Sequence, residues 1–465
     1  MTLYDNHFGD NGAWTSKLPD KEVATLRRYT GKTLRELKNL AGSNLIVIGE
    51  GAGSEYEDSI SYFSIGAEKE EDGETGVVKQ LRLDTGNLMG VLNLRDRSST
   101  VRVAIHSRFD EGNEKQPFLN YLLSRVYDIN YLDLDLDLVQ AGNQSFMEIL
   151  LAIRFVQRIA EAREVGLYRQ YKEFRCNDLN FKGRLDLSRH IRENMPVGGR
   201  IAYVKREITF DTPLNHLFRF VVALIEKRWP MLLERNIEAK RMISELKVNS
   251  PSWSSMSLVK TLQERECRES VRNPFFAQYY EELRVLARML LCEDGLNVFE
   301  ADESEVSGVI FDGAWLWESY LATVLEPLGY THAICGTDVG RLSIFKEVPN
   351  DWGRAQTCFY PDFYNSTRGV VLDAKYKRGM TCREDIMQLL AYALNTGAGK
   401  VGLIYPPNES SAVCSGVVHQ NMRDAPLSWK SFTFGGLPFD RDDLTKVQLC
   451  MEAQEQELRE CLNVR

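Results

Sequence analysis

The stretch from Phe359 to Tyr392 constrains this chain more than any other. Phe359-Tyr-Pro-Asp362 and Val370-Val-Leu-Asp373-Ala-Lys375 are strand-like runs joined by Asn365-Ser-Thr-Arg-Gly369. Turn-forming Asn, Ser and Gly between β-branched and aromatic residues predict a hairpin. Side chains alternate along a strand, so Asp373 and Lys375 share one face and Ala374 points the other way. A hairpin brings Asp362 beside that pair. Glu384 to Asn395 reads as a helix, with Gln388 and Tyr392 four residues apart on one face. Two converging carboxylates and an ammonium suit a hard divalent cation and a phosphate. Such a cation takes oxygen ligands and acidifies water, and the ammonium offsets charge on the attacked phosphate. The plain alternative is a surface hairpin with a salt-bridged Asp and Lys.

Pro361-Asp362 followed by Asp373-Ala374-Lys375 resembles the PD-(D/E)xK nuclease superfamily. Gln388-Leu-Leu-Ala-Tyr392 resembles the Q-x-x-x-Y element of its RecB-like branch. Trp315-Leu-Trp-Glu318-Ser-Tyr320-Leu resembles the helix that carries an extra acidic residue. The resemblance implies an α/β nuclease domain with a mixed sheet flanked by helices. It also implies Mg²⁺, with Mn²⁺ as a substitute, held by Asp362, Asp373 and the backbone carbonyl of Ala374. Lys375 would orient water or stabilise the transition state, Glu318 would assist, and Gln388 and Tyr392 would steady the site. Upstream, Lys182-Gly-Arg184-Leu-Asp186 and Asp211-Thr-Pro-Leu-Asn215 stand in an order similar to McrC, the nuclease subunit of McrBC-type modification-dependent restriction systems. This likeness covers roughly residues 145 to 405, with Ser107-Arg108-Phe109 as an outlying match. It implies DNA as substrate and a separate McrB-like AAA+ GTPase hexamer as motor. Two rival readings are a non-catalytic adaptor that activates an NTPase and a RecB-like repair exonuclease.

Hydrophobic residues make up 43% of the 465 and charged residues 26%, as in ordinary globular chains. The net charge of −9 requires a nuclease to gather its basic residues locally. Lys182, Arg184 and Lys377 are candidate DNA contacts, against the plain reading of solvated charge. Nine scattered cysteines include no C-x-x-C pair, which argues against a disulfide framework and for reduced thiols in the cytoplasm. The first residues lack a basic region followed by an apolar run, and no stretch approaches a membrane span. Thr30-Gly-Lys-Thr33 lacks the earlier glycine of a phosphate loop, and Gly49 to Gly53 lacks the lysine, so no NTPase site is expected. Asp133, Asp135 and Asp137 alternate with leucines, but Leu138 and Gln144 stand where a calcium loop needs Gly and Glu.

Three segments are expected. Residues 1–140 read as a β-rich, partner-binding domain, with strands at 77–83, 88–94 and 100–105 and an exposed acidic loop at 68–74. Residues 141–296 read as mainly helical, with Asp211 or Thr212 and Pro213 starting a long helix. Residues 297–465 read as the nuclease domain. In it Asp312 caps the Glu318 helix, 401–405 forms a buried strand and 444–462 an amphipathic helix.

Overall fold

The Asn365–Gly369 turn forms as its composition demands. Gly369 takes the left-handed conformation (φ 59°), and the Arg368 N–H donates to Asn365 Oδ1 at 2.9 Å. The computed structural model describes residues 2–5, 13–14, 17–41, 45–48, 61–62, 64–73, 76–96, 99–110, 116–127, 143–195, 198–291, 306–334, 338–343, 358–377, 383–407, 412–417, 427–435 and 444–463. The Gly49 to Gly53 and Asp133 to Gln144 readings lie wholly or mostly outside them. The chain divides into two compact units, residues 1–147 with 302–465, and residues 148–301.

The first unit holds a six-stranded mixed sheet. Its order is Thr331–His332, Phe363–Asn365, Val370–Ala374, Lys400–Tyr405, Ser428–Thr433, Ala412–Val417. The hairpin strands pair antiparallel, and Val370–Ala374 runs parallel to Lys400–Tyr405. The Arg383–Thr396 helix makes that crossover. Its Leu389, Tyr392 and Ala393 close a core with Val371, Val401 and Leu403. The Gly313–Leu325 helix also packs on the sheet. Its Trp317 ring meets Phe434 at 5.4 Å, and its indole N–H points to the Ile404 carbonyl at 3.5 Å.

A five-stranded sheet in the same unit runs Thr2–Tyr4, Thr100–His106, Leu88–Arg95, Val306–Asp312, Leu45–Ile48. Val306–Asp312 pairs antiparallel to Leu88–Arg95 and parallel to Leu45–Ile48, so a strand from the expected nuclease segment completes the N-terminal sheet. The expected segments 1–140 and 297–465 therefore share one unit. The helices Asp20–Tyr29 and Leu34–Ala41 cover this sheet through Leu26, Tyr29 and Leu37. Residues Glu68 to Gly73, read as loop, belong to the strand Ser64–Gly73 paired with Gly76–Asp84. Cross-strand pairing with a β-branched, apolar partner outweighs the poor strand propensity of acidic residues.

The second unit is helical around Phe155, Phe218 and Tyr280, with Phe218 between the other two at 5.9 and 5.8 Å. Helices make up most of it, in line with the mainly helical reading of 141–296, but it also carries a three-stranded antiparallel sheet of Gln170–Asp178, Ile201–Thr209 and Arg184–Leu185 that the reading does not include. Adjacent charged residues, Lys172-Glu173 and Lys205-Arg206-Glu207, hid these strands from a search for apolar alternation. Cys176, Cys267, Cys358, Cys450 and Cys461 form no disulfide among the described residues. No described helix is long and apolar enough to cross a membrane.

Candidate active site

Hairpin register assembles the site. Phe363 pairs with Leu372, so Asp362 and Asp373 stand at the next opposed position. The Ala374 N–H donates to Asp362 Oδ2 at 2.6 Å, which fixes that carboxylate against the second strand. The ladder continues one residue past the strand, where the Lys375 N–H donates to the Ile404 carbonyl at 2.9 Å. Lys375 thus stays at the carboxyl end of the Val370–Ala374 strand with its ammonium 2.6 Å from Asp373 Oδ2.

The neighbouring helix locks that ammonium. Lys375 Nζ donates to Gln388 Oε1 at 2.9 Å, Gln388 Nε2 donates to the Tyr392 hydroxyl at 2.8 Å, and that hydroxyl donates to the Tyr360 carbonyl at 3.3 Å. The amide orientation is dictated, because an ammonium has only donors and must meet the amide oxygen. The relay returns to the backbone two residues before Asp362 and so ties helix to hairpin.

Glu318 enters from the Gly313–Leu325 helix. Asp312 caps that helix by accepting from the Ala314 N–H at 2.7 Å, as expected. Burial pushes Asp312 up to about 6, against the backbone hydrogen bonds it accepts. Gly313 is required here, since a Cβ would lie 2.6 Å from the Tyr376 ring. Tyr376 follows Lys375 and is held from behind by the Ser107-Arg108-Phe109 segment. Its hydroxyl lies 3.2 Å from Ser107 Oγ, the Arg108 guanidinium sits 5.3 Å from its ring, and the Phe109 ring packs at 5.0 Å.

The electrostatics show a shortage of positive charge. Burial pushes Glu318 up to about 8, helped by Asp312 and Asp373. Burial also raises Asp362 well above the carboxylate range, with Asp373 and Glu318 adding to the shift. Asp373 is raised for the same first reason, against the pull of Lys375. Burial alone would lower Lys375, but Asp373, Asp362 and Asp385 outweigh it and the ammonium is held charged. Asp373 is 1% exposed, and its Oδ2 meets the Lys375 ammonium as an ion pair and has no hydrogen bond.

A divalent cation fits this arrangement. The donors are all oxygen, one is buried without a hydrogen bond, and clustered carboxylates favour added positive charge. Among the described residues no three His, Cys, Asp or Glu side chains form a metal cluster. The available set is Asp362, Asp373 and the Ala374 carbonyl, which suits an ion that uses one or two carboxylates and fills the rest with water and phosphate.

Asp385 is the residue that sequence reading missed. It is 6% exposed, pairs with Lys377 at 2.6 Å and lies 3.9 Å from Lys375. Its position, three residues before Gln388, puts it on the same helix face and was the available signal. Lys182 and Arg184 belong to the other unit and are exposed there. Gly183 between them has φ 142°, and a Cβ would lie 2.4 Å from the Val204 carbonyl oxygen. Asp186 caps the next helix by accepting from the Arg189 N–H at 3.2 Å. In the second motif Thr212 caps the Pro213–Arg228 helix, Asp211 accepts from Ser252 Oγ and meets His216 Nε2 at 2.7 Å, and Asn215 donates to the Tyr168 and Phe210 carbonyls.

A family model described as McrBC 5-methylcytosine restriction system component matches residues 83–406, which contain every site residue above. Two solved structures are similar to the chain. One is described as a refined half-complex from a tetradecameric assembly of Thermococcus gammatolerans McrB AAA+ hexamers with bound McrC. It has 15% identity and a TM-score of 0.43, over 97% of this chain and 99% of that chain. The other is described as the cryo-EM structure of the Thermococcus gammatolerans McrBC complex, with 16% identity and a TM-score of 0.30, over 70% of this chain and 87% of that chain. No curated protein matches. With the family model spanning well over half of its 465 residues, the chain belongs to the family of McrBC 5-methylcytosine restriction system components.

Proposed function

We propose that this chain is the McrC-type nuclease subunit of its system, a PD-(D/E)xK enzyme that hydrolyses DNA phosphodiesters. The observation that carries the reading is the meeting of Asp362, Asp373 and Lys375 at one end of the hairpin, with Lys375 held by Gln388 and Tyr392. A divalent cation, Mg²⁺ or Mn²⁺, held by Asp362, Asp373 and the Ala374 carbonyl would supply Lewis-acid stabilisation and a more acidic attacking water.

The side chains supply the rest. Lys375 Nζ donates to Gln388 and pairs by charge with Asp373, which leaves it donor capacity for a phosphate oxygen or the attacking water. Gln388 and Tyr392 keep the ammonium from swinging toward solvent. Glu318, with a proton held to about pH 8, can exchange it with a water or leaving oxygen near neutral pH. Lys182, Arg184 and Lys377 are proposed phosphate contacts, the last shared with Asp385.

The partner in this reading is an AAA+ GTPase, and residues 1–140 are the proposed contact region. Family membership supports a multi-component system. Truncation is a poor test, because Leu45–Ile48 and Leu88–Arg95 flank Val306–Asp312 in one sheet. The test is plasmid cleavage with Mg²⁺ by the full chain and a purified AAA+ partner, comparing wild type with Asp373→Ala and Lys375→Ala. The nuclease reading expects cutting to vanish in both variants while the partner is still captured. Undiminished cutting by a folded Asp373→Ala protein overturns it in favour of an adaptor role.

A further inference from the structure

A cleft of about 690 Å³ lies in the 148–301 unit and shares no residue with the carboxylate site. Arg169, Tyr171, Arg206, Arg265, Arg272 and Phe275 line it. Tyr171 pairs with Ile208 across the two long strands, so alternation puts Arg206 on the same face. The Arg206 guanidinium lies 4.8 Å from the Tyr171 ring centroid. Tyr171 is 60% exposed and Phe275 57% exposed, so two large rings meet water inside a concavity.

The charge there is one-sided. Glu269 takes up both Arg265 and Arg272, and Glu266 accepts hydrogen bonds from Gln170. No ion pair engages Arg169 or Arg206 among the described residues. Residues 169–209 hold ten Lys and Arg against five Asp and Glu, a net of +5 in a chain of net −9.

We propose that this cleft binds an unpaired nucleotide segment of DNA, with a base stacked on Tyr171 or Phe275 and phosphates on Arg169 and Arg206. Exposed aromatic faces beside free guanidiniums match a base and a phosphate together. An acidic peptide would use the arginines and leave the rings in water. A duplex hides its base faces in its own stack. The volume lies in the range of single-ligand sites, roughly 300–1,000 Å³. The choice of DNA rests on the nuclease reading; the chemistry of stacked base and phosphate does not.

The test is fluorescence anisotropy of a labelled single-stranded oligothymidylate on the full chain, in buffer with EDTA so that nothing is cut. Tyr171→Ala and Arg206→Ala should each weaken binding about tenfold, and Tyr171→Phe should bind like wild type. Arg169→Ala should flatten the salt dependence by about 0.7 in log–log slope. All three positions bear exposed side chains, and equal melting temperatures verify folding. Unchanged affinity in the Tyr171→Ala, Arg206→Ala double variant overturns the proposal. So does equal binding of the matching duplex, or displacement by polyglutamate at equal charge concentration. Binding is read without catalysis, so failure here leaves the carboxylate site untouched, and an inactive Lys375→Ala protein that still binds leaves the cleft standing.

Discussion

The segment from Asp362 to Tyr392 and the segment from Lys182 to Asn215 are equally rich in polar motifs, yet their side chains do different work. In the first, Asp373, Lys375, Gln388 and Tyr392 point at one another, and a buried carboxylate oxygen is left without a hydrogen bond. In the second, Asp211 holds the Ser252 and His216 side chains, and Gly183, Asp186, Thr212 and Asn215 spend their special properties on backbone. They permit a close strand approach, cap two helices and satisfy loop carbonyls. The scaffold segment has its own unbonded buried atom, Asn215 Oδ1, but no cluster of buried carboxylates. A candidate reaction centre gathers buried like charges that a cation can offset.

The largest expected effect separates the two directly. Lys375→Ala should lower DNA cleavage by at least about a hundredfold, the usual loss for a donor aimed at developing charge, and hardly move the melting temperature. Cleavage rates and thermal melts on one preparation check both halves. Next comes pH. Folded Glu318 keeps its proton to about pH 8, whereas the unfolded chain releases it near 4.5. Between those values the native state binds more protons, so stability in EDTA should fall as pH rises through this window, on the order of a few kcal/mol. Asp362 and Asp373, also raised, act with the same sign. Denaturant melts at several pH values should show that slope, and Glu318→Gln should reduce it; an unchanged slope would assign it elsewhere.

Gly183→Ala should cost about 1–3 kcal/mol in stability, because both φ and the Val204 carbonyl forbid a Cβ. If cleavage chemistry per folded molecule also dropped, the scaffold reading of Gly183 would need revision. Gln388→Ala should cost about tenfold in cleavage through loss of Lys375 orientation, with the pH profile shifted rather than merely scaled. The smallest change is Thr212→Ala, about 1 kcal/mol of stability from a lost cap and no change in activity.

Much of the site was legible before folding because its information is local. Turn composition set the hairpin, the two-residue period put Asp373 and Lys375 together, and the four-residue period put Gln388 beside Tyr392. The strand Ser64–Gly73 and the sheet of Gln170–Asp178 with Ile201–Thr209 were not legible. Their charged residues take strand geometry only because a partner strand supplies the hydrogen bonds.

The amino-acid order alone determined which residues could meet: the hairpin, its opposed aspartates and the helix face that follows. Tertiary structure decided what surrounds them. It placed Val306–Asp312 between Leu88–Arg95 and Leu45–Ile48, set the Tyr376 ring against Ser107-Arg108-Phe109, and brought Asp385 to two lysines. The reason is range. Dihedral preference and side-chain period act over a few residues, whereas burial and its pKa shifts depend on segments hundreds of residues apart.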